Sequence, residues 1–187
     1  MVPSSSTSVT LGAPSTLSVQ LANCPNCTVL GTHAGVTSSL GAALVSTGQR
    51  RAALLSLRAD GSVSGAANVL YGNSFPNPPG GQLACDAAGR CIVLAKQDDG
   101  TAIASVYQLH AGGDWADVTG QPGLKSVTSE ARTLTVGGDV EVAVQDAADG
   151  STVWVVYAWD GSGYAVKGCT GAAVPDQQTL AMTSCLS

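Results

Sequence analysis

Cys24-Pro25-Asn26-Cys27 holds the first side chains in this sequence with a spacing that can do chemistry. A C-x-x-C becomes a redox pair when its first thiol sits at a helix N-terminus, where the dipole lowers the thiol pKa. Here the flanking stretches Leu17–Ala22 and Thr28-Val29-Leu30 read as extended, so no helix is in place to do this. With His33 as a third ligand the pair would begin a zinc site. A structural zinc wants four ligands, usually from a second C-x-x-C or from paired histidines. Cys85 and Cys91 are too far apart to form that second knuckle. The stronger reading is therefore a tight disulfide or a cross-pair with a distant strand, with Cys24, Cys27 and His33 kept as minor metal candidates and no cofactor expected. His33 and His110 are the only histidines, and each falls near the end of a strand-like run. Together with the cysteine pair they keep a metal or haem carrier as one alternative function.

The acids are eleven Asp and two Glu. Glycosidases place two carboxyl groups across a cleft. Asp114 and Asp117 flank Trp115, and Asp160 follows Trp159, so a sugar groove can be drawn. Turn chemistry explains the pattern better. Asp60, Asp99, Asp149 and Asp160 each precede a glycine, and Asp in such pairs bonds its own backbone and tolerates left-handed conformations. Asp98-Asp99-Gly100 and Asp146-Ala147-Ala148-Asp149-Gly150 lack the twelve-residue loop and closing Glu of a strong calcium site. The sequence contains no G-x-S-x-G elbow, no phosphate-binding loop and no dinucleotide fingerprint. With no catalytic set assembled, the expectation is a binding domain, with no catalytic residue assigned and a secreted hydrolase of polysaccharide or peptide as the alternative. The aromatics fall at matching positions, which points first to packing. Phe75, alone in a Pro/Asn/Gly-rich loop, and Trp115, Trp159 and Tyr164 are the candidates for a partner-binding surface.

The elements that must position these residues are strands. Ala52–Leu57, Cys91–Ala95, Val140–Val144 and Val153–Tyr157 are apolar runs, bounded by Asp-Gly pairs that mark hairpin turns. Continuous apolar strands are usually buried on both faces. Asp86-Ala87-Ala88-Gly89-Arg90 reads as a hairpin turn that sets Cys85 opposite Cys91. The pattern also repeats. Asp99-Gly100 is followed by Val106-Tyr107-Gln108-Leu109 and Gly112-Gly113-Asp114-Trp115. Asp149-Gly150 is followed by Val156-Tyr157-Ala158-Trp159 and Gly161-Ser162-Gly163-Tyr164. A weaker copy runs from Asp60-Gly61 to Val69-Leu70-Tyr71-Gly72. Units of this size resemble the blade repeats of β-propellers in exported, lipoprotein-like bacterial proteins.

The fold class expected is all-β: repeated four-stranded antiparallel meanders, propeller-like, or alternatively a β-sandwich. Repeats lie near 40–72, 82–119 and 132–168, inside one domain spanning 17–187, after a Ser/Thr/Pro-rich linker at 1–16. Leu17–Ala22 and Thr28–Thr32 would supply strands of a fourth sheet. Asn73–Gly81 and Gly120–Ser129 read as connectors, and Pro175–Met182 as one or two helical turns.

The 187 residues carry a net charge of −5 and only 11% charged side chains. An acidic chain excludes nucleic acid, which needs a basic face, and a polybasic contact with anionic lipid. No apolar run reaches the ~20 residues of a membrane-spanning helix. Met1 ahead of a Ser/Thr/Pro stretch reads as a start placed after a removed export signal. The six cysteines fall in three local pairs, Cys24 with Cys27, Cys85 with Cys91 and Cys169 with Cys185. That is the arithmetic of a disulfide framework in an oxidising compartment. The sequence thus leads to a secreted or envelope-anchored domain that binds another envelope or extracellular protein, or a small ligand.

Overall fold

A computed structural model describes residues 19, 21, 24, 26–48, 50–75, 82–148, 150–171, 175 and 182–185. It is all-β, with thirteen strands in three antiparallel sheets and no helix among the described residues. The first sheet orders β1 (Thr28–His33), β2 (Gly41–Gly48), β3 (Arg51–Leu57) and β4 (Val63–Asn68) as neighbours in sequence. The second follows the same plan with β5 (Leu83–Cys85), β6 (Arg90–Lys96), β7 (Ala102–Leu109) and β8 (Trp115–Asp117). Its fifth strand, β9 (Leu124–Lys125), pairs with β7 at Ile103 and Ala104. The third holds β10 (Ala131–Val136), β11 (Asp139–Ala148), β12 (Ser151–Trp159) and β13 (Tyr164–Thr170).

Side-chain alternation explains how the sheets stack. On β6 and β7, Val93 and Tyr107 pack with Leu44 and Leu54 of the first sheet. Their alternate neighbours Ile92, Ala104 and Val106 pack with Val140, Val142, Val144 and Val155 of the third. The second sheet is therefore the middle layer. Both of its faces are covered, which is why its strands read as unbroken apolar runs. Each fully buried Leu, Ile or Val here contributes about 1.5–3 kcal/mol.

The outer faces are apolar too. Ala43, Val45, Ala53, Leu55 and Leu57 pack with Val19, Leu21 and Val29 at one end of the stack. Leu134, Ala143, Trp154 and Val156 pack with Val136 and Met182 at the other.

Two features differ from what the sequence suggests, and a third is not described. The strand at Thr28–His33 is the edge of the first sheet rather than part of a fourth. The connector 120–129 contains β9 and so extends the second sheet. The stretch expected as helical turns, 175–182, lies outside the described residues except at its two ends.

All three cysteine pairs are local disulfides: Cys24–Cys27, Cys85–Cys91 and Cys169–Cys185. Cys85 and Cys91 stand directly opposite each other on β5 and β6. Cys169 pairs with Thr183 in an isolated bridge, and the disulfide to Cys185 holds that return of the chain against β13. Three disulfides and no free cysteine mark an oxidising environment. No helix among the described residues is long and apolar enough to cross a membrane.

Candidate functional site

The Asp-Gly turns are as regular as their sequence. The Oδ1 atom of Asp60 accepts the N–H and hydroxyl of Ser62, Asp99 does the same with Thr101, and Asp160 with Ser162. Asp117 repeats the geometry with Thr119, without a glycine between them. The Ser62 hydroxyl holds the Asp60 carboxyl below the ordinary range. The Thr101 hydroxyl does so for Asp99, and the Ser162 N–H for Asp160. A carboxyl tuned downward is a poor general acid at neutral pH. Asp149, expected to act similarly, lies outside the described residues.

One of these turns forms a wall of an open polar cleft at the rim between the first and second sheets. Its cavity of about 340 Å³ is lined by Gly72, Asn73, Gln97, Asp98 and Asp99. Gln97–Gly100 is the turn between β6 and β7, closed by bonds between Gln97 and Thr101 and between Gly100 and Gln97. The opposite wall is the chain leaving β4, laid against the end of β6. The N–H groups of Asn73 and Ser74 donate to Lys96 O, and Lys96 N–H returns a bond to Ser74 O. Gly72 permits that approach: its φ is +83°, and a Cβ there would meet Ala95 Cβ at 2.4 Å.

From the β2–β3 turn, Arg50 reaches two of the lining residues. Its Nη2 donates to Asn73 Oδ1 at 3.2 Å and to Asp98 Oδ1. Arg50 has φ +63° and is the one non-glycine residue with positive φ among those described. A bulky residue in that region carries strain of order 1 kcal/mol, and such strain gathers at functional positions. The ion pair with Asp98 is solvent-exposed and worth only about 0–1 kcal/mol.

A second polar constellation is structural. Asp86 folds back on its hairpin, Oδ1 accepting the N–H groups of Ala88 and Arg90 at 3.0 Å. Its Oδ2 accepts Arg90 Nε at 2.8 Å and the Val140 N–H of the third sheet at 3.3 Å. Arg90 Nη2 donates to Asp139, and the guanidinium lies 5.5 Å from the Trp159 ring centroid. The Tyr164 hydroxyl donates to Val140 O at 2.7 Å, and burial pushes its pKa up. The cluster joins the second sheet to the third. On the outer face of the third sheet, a bulge at Val156/Tyr157 inserts Lys167, whose Nζ donates to Glu141 Oε1 at 2.7 Å.

The four aromatics named as a binding surface fall at two different cores, with Trp159 and Tyr164 together, their ring centroids 6.1 Å apart. Phe75 packs beside the core shared by the first and second sheets. Trp115 does likewise, with its indole N–H buried and unbonded. Trp159 packs on the core between the second and third sheets beneath Arg90, and Tyr164 is buried there. Cys24 and Cys27 are joined to each other, which takes both sulfurs out of the thiolate form a metal needs. His33 Nδ1 lies 3.2 Å from Ala34 O, and His110 is exposed in the β7–β8 turn. Among the described residues no three His, Cys, Asp or Glu side chains cluster to hold a metal.

Sequence reading missed Arg50, Asn73 and Gln97, which meet only through the stacking of two sheets. The cleft's one signal in sequence was Asp98-Asp99-Gly100, read above as a turn and a poor calcium loop. No family model, curated protein or solved structure matches the chain.

Proposed function

We propose that this chain is a non-enzymatic binding domain of the cell exterior or envelope, engaging its partner or ligand through the rim cleft. The observation that carries the reading is the cleft itself. It has about 340 Å³ of space between the chain leaving β4 and the β6–β7 turn, a mixed polar lining, and an arginine that bridges two of its lining residues. The three disulfides support the exterior location. They also fit a rigid scaffold that presents loops, the usual division between framework and recognition. The alternative of a hydrolase is less well supported. Asp99, beside the cleft, is tuned toward the ionised form, whereas hydrolysis of a glycosidic bond needs one carboxyl tuned the other way.

The test compares the oxidised chain with a double variant, Asp98→Arg with Asn73→Ala, for retention on washed envelope material from the producing cells. The reading expects retention of the parent, loss in the variant and no release of soluble fragments. Equal retention of both proteins, or release of sugar or peptide that depends on Asp98 and Asp99, would contradict it.

A further inference from the structure

We propose that the rim cleft takes a neutral polyhydroxylated ligand, a sugar or sugar-chain end that presents adjacent hydroxyls. This inference rests on the cleft being the binding site. It follows from counting which polar groups the protein leaves unspent there. Asn73 uses its Oδ1 to accept from Arg50, and its Nδ2 has no partner among the described residues. Gln97 uses its Nε2 to donate to Thr101, so Oε1 remains as an acceptor. Asp98 is bonded through Oδ1 to Arg50, and Asp99 through Oδ1 to Thr101, which leaves the Oδ2 atom of each. Among the described residues Arg50 engages Asn73 and Asp98 through Nη2 alone, which leaves further guanidinium hydrogens beside those two lining residues.

The lining residues and the Arg50 that bridges two of them therefore offer amide and guanidinium donors alongside amide and carboxylate acceptors. A hydroxyl donates one bond and accepts others. Neighbouring hydroxyls on one ring can satisfy such a mixed set; an ion of either sign satisfies half of it. A divalent cation would meet the Arg50 guanidinium already seated on Asp98. An anion would face the Asp98 and Asp99 carboxylates, already engaged by the Arg50 guanidinium and the charge of Lys125. The exposed Arg50–Asp98 pair is cheap to rearrange. Backbone hydrogen bonds tie down both walls, so little backbone ordering is added on binding.

The experiment follows the side-chain amide resonances of Asn73 and Gln97 in the nitrogen-15-labelled, oxidised chain. The probes are D-glucose, D-mannose and D-galactose, with maltotriose as the chain-end probe and calcium chloride and sodium glutamate as controls. The proposal expects saturable shifts of both amides with at least one sugar. In Asp98→Ala the affinity should fall about tenfold, the value of one lost bond to a charged group. In Arg50→Gly it should also fall. A response to maltotriose that monosaccharides do not give assigns the site to chain ends; a response to monosaccharides assigns it to free sugars. Shifts with calcium chloride or glutamate alone would overturn the ligand class. So would silence with every sugar. In the silent case envelope retention that is lost in the double variant leaves the binding reading standing, and retention that ignores the variant removes both.

Discussion

Arg90 shows how much one side chain can decide. It is buried, it carries the ion pair to Asp86, and it lies across the boundary between the second and third sheets. Removing one partner of a buried pair leaves an uncompensated charge. Arg90→Met is therefore expected to lower stability by about 3 kcal/mol, and Asp139→Ala, at the exposed end of the network, by about 0–1 kcal/mol. Denaturant titration of the two variants checks the ratio, and equal effects would show that the burial of Asp86 is not what matters.

Tyr164 and Tyr107 give a pH signature. Burial raises both phenol pKa values above the ordinary value of 10.0. A native pKa above the unfolded one means that the unfolded chain releases its proton first as pH rises. The stabilisation is thus complete below about pH 10 and is lost as pH climbs through the native value. Asp60, Asp99 and Asp160 have the opposite sign, stabilising above the unfolded carboxylate pKa and fading as acid protonates them. The account expects alkaline unfolding to coincide with the growth of tyrosinate absorbance from these two residues. Their ionisation in a chain that still shows native circular dichroism would contradict their placement. The Asp-Gly carboxylates announced their turn role in the sequence, but Arg90 and Asp86 did not announce theirs between sheets. Asp86 and Arg90 read as parts of a hairpin turn, which they are. Their partners Val140 and Asp139 lie some fifty positions along the chain, a distance only the stacking of sheets closes.

At the scale of elements, local chemistry was sufficient and long-range packing was not. The Asp-Gly pairs marked real turns because their hydrogen bonds are made within three residues. The hairpin between Cys85 and Cys91 was legible because its disulfide needs only one opposed pair. The two-residue β9 was not, since so short a strand exists only by virtue of Ile103 and Ala104 beside it. Gly65 is a further case. Nothing in its surroundings in the sequence distinguishes it, yet a Cβ there would lie 2.4 Å from the carbonyl oxygen of Gly113 in the β7–β8 turn. Ser56 secures the same contact, its hydroxyl lying 2.7 Å from Gly113 O. Gly65→Ala must therefore push β4 away from the second sheet and is expected to cost about 1–3 kcal/mol. The midpoint of thermal unfolding reads this directly, and an unchanged midpoint would mean that the two sheets do not approach so closely.

For the molecule as a whole, the three sheets share two buried interfaces, and the middle sheet belongs to both. The apolar runs made the all-β class legible, because unbroken hydrophobic strands need cover on both faces. The candidate cleft was not legible, because Arg50, Asn73 and Asp98 come from three separate turns that meet only when the first and second sheets stack. Location outside the cytoplasm, and with it the reading as an exterior binding domain, depends most on the state of the cysteines. The most direct measurement is a non-reducing peptide map with thiol counting, made on the protein as its own cells produce it. The account predicts no free thiol and the pairs Cys24–Cys27, Cys85–Cys91 and Cys169–Cys185, each within its own neighbourhood of the chain. Free thiols, or a bridge between two of these neighbourhoods, would contradict both the compartment and the sheet arrangement on which the cleft is built.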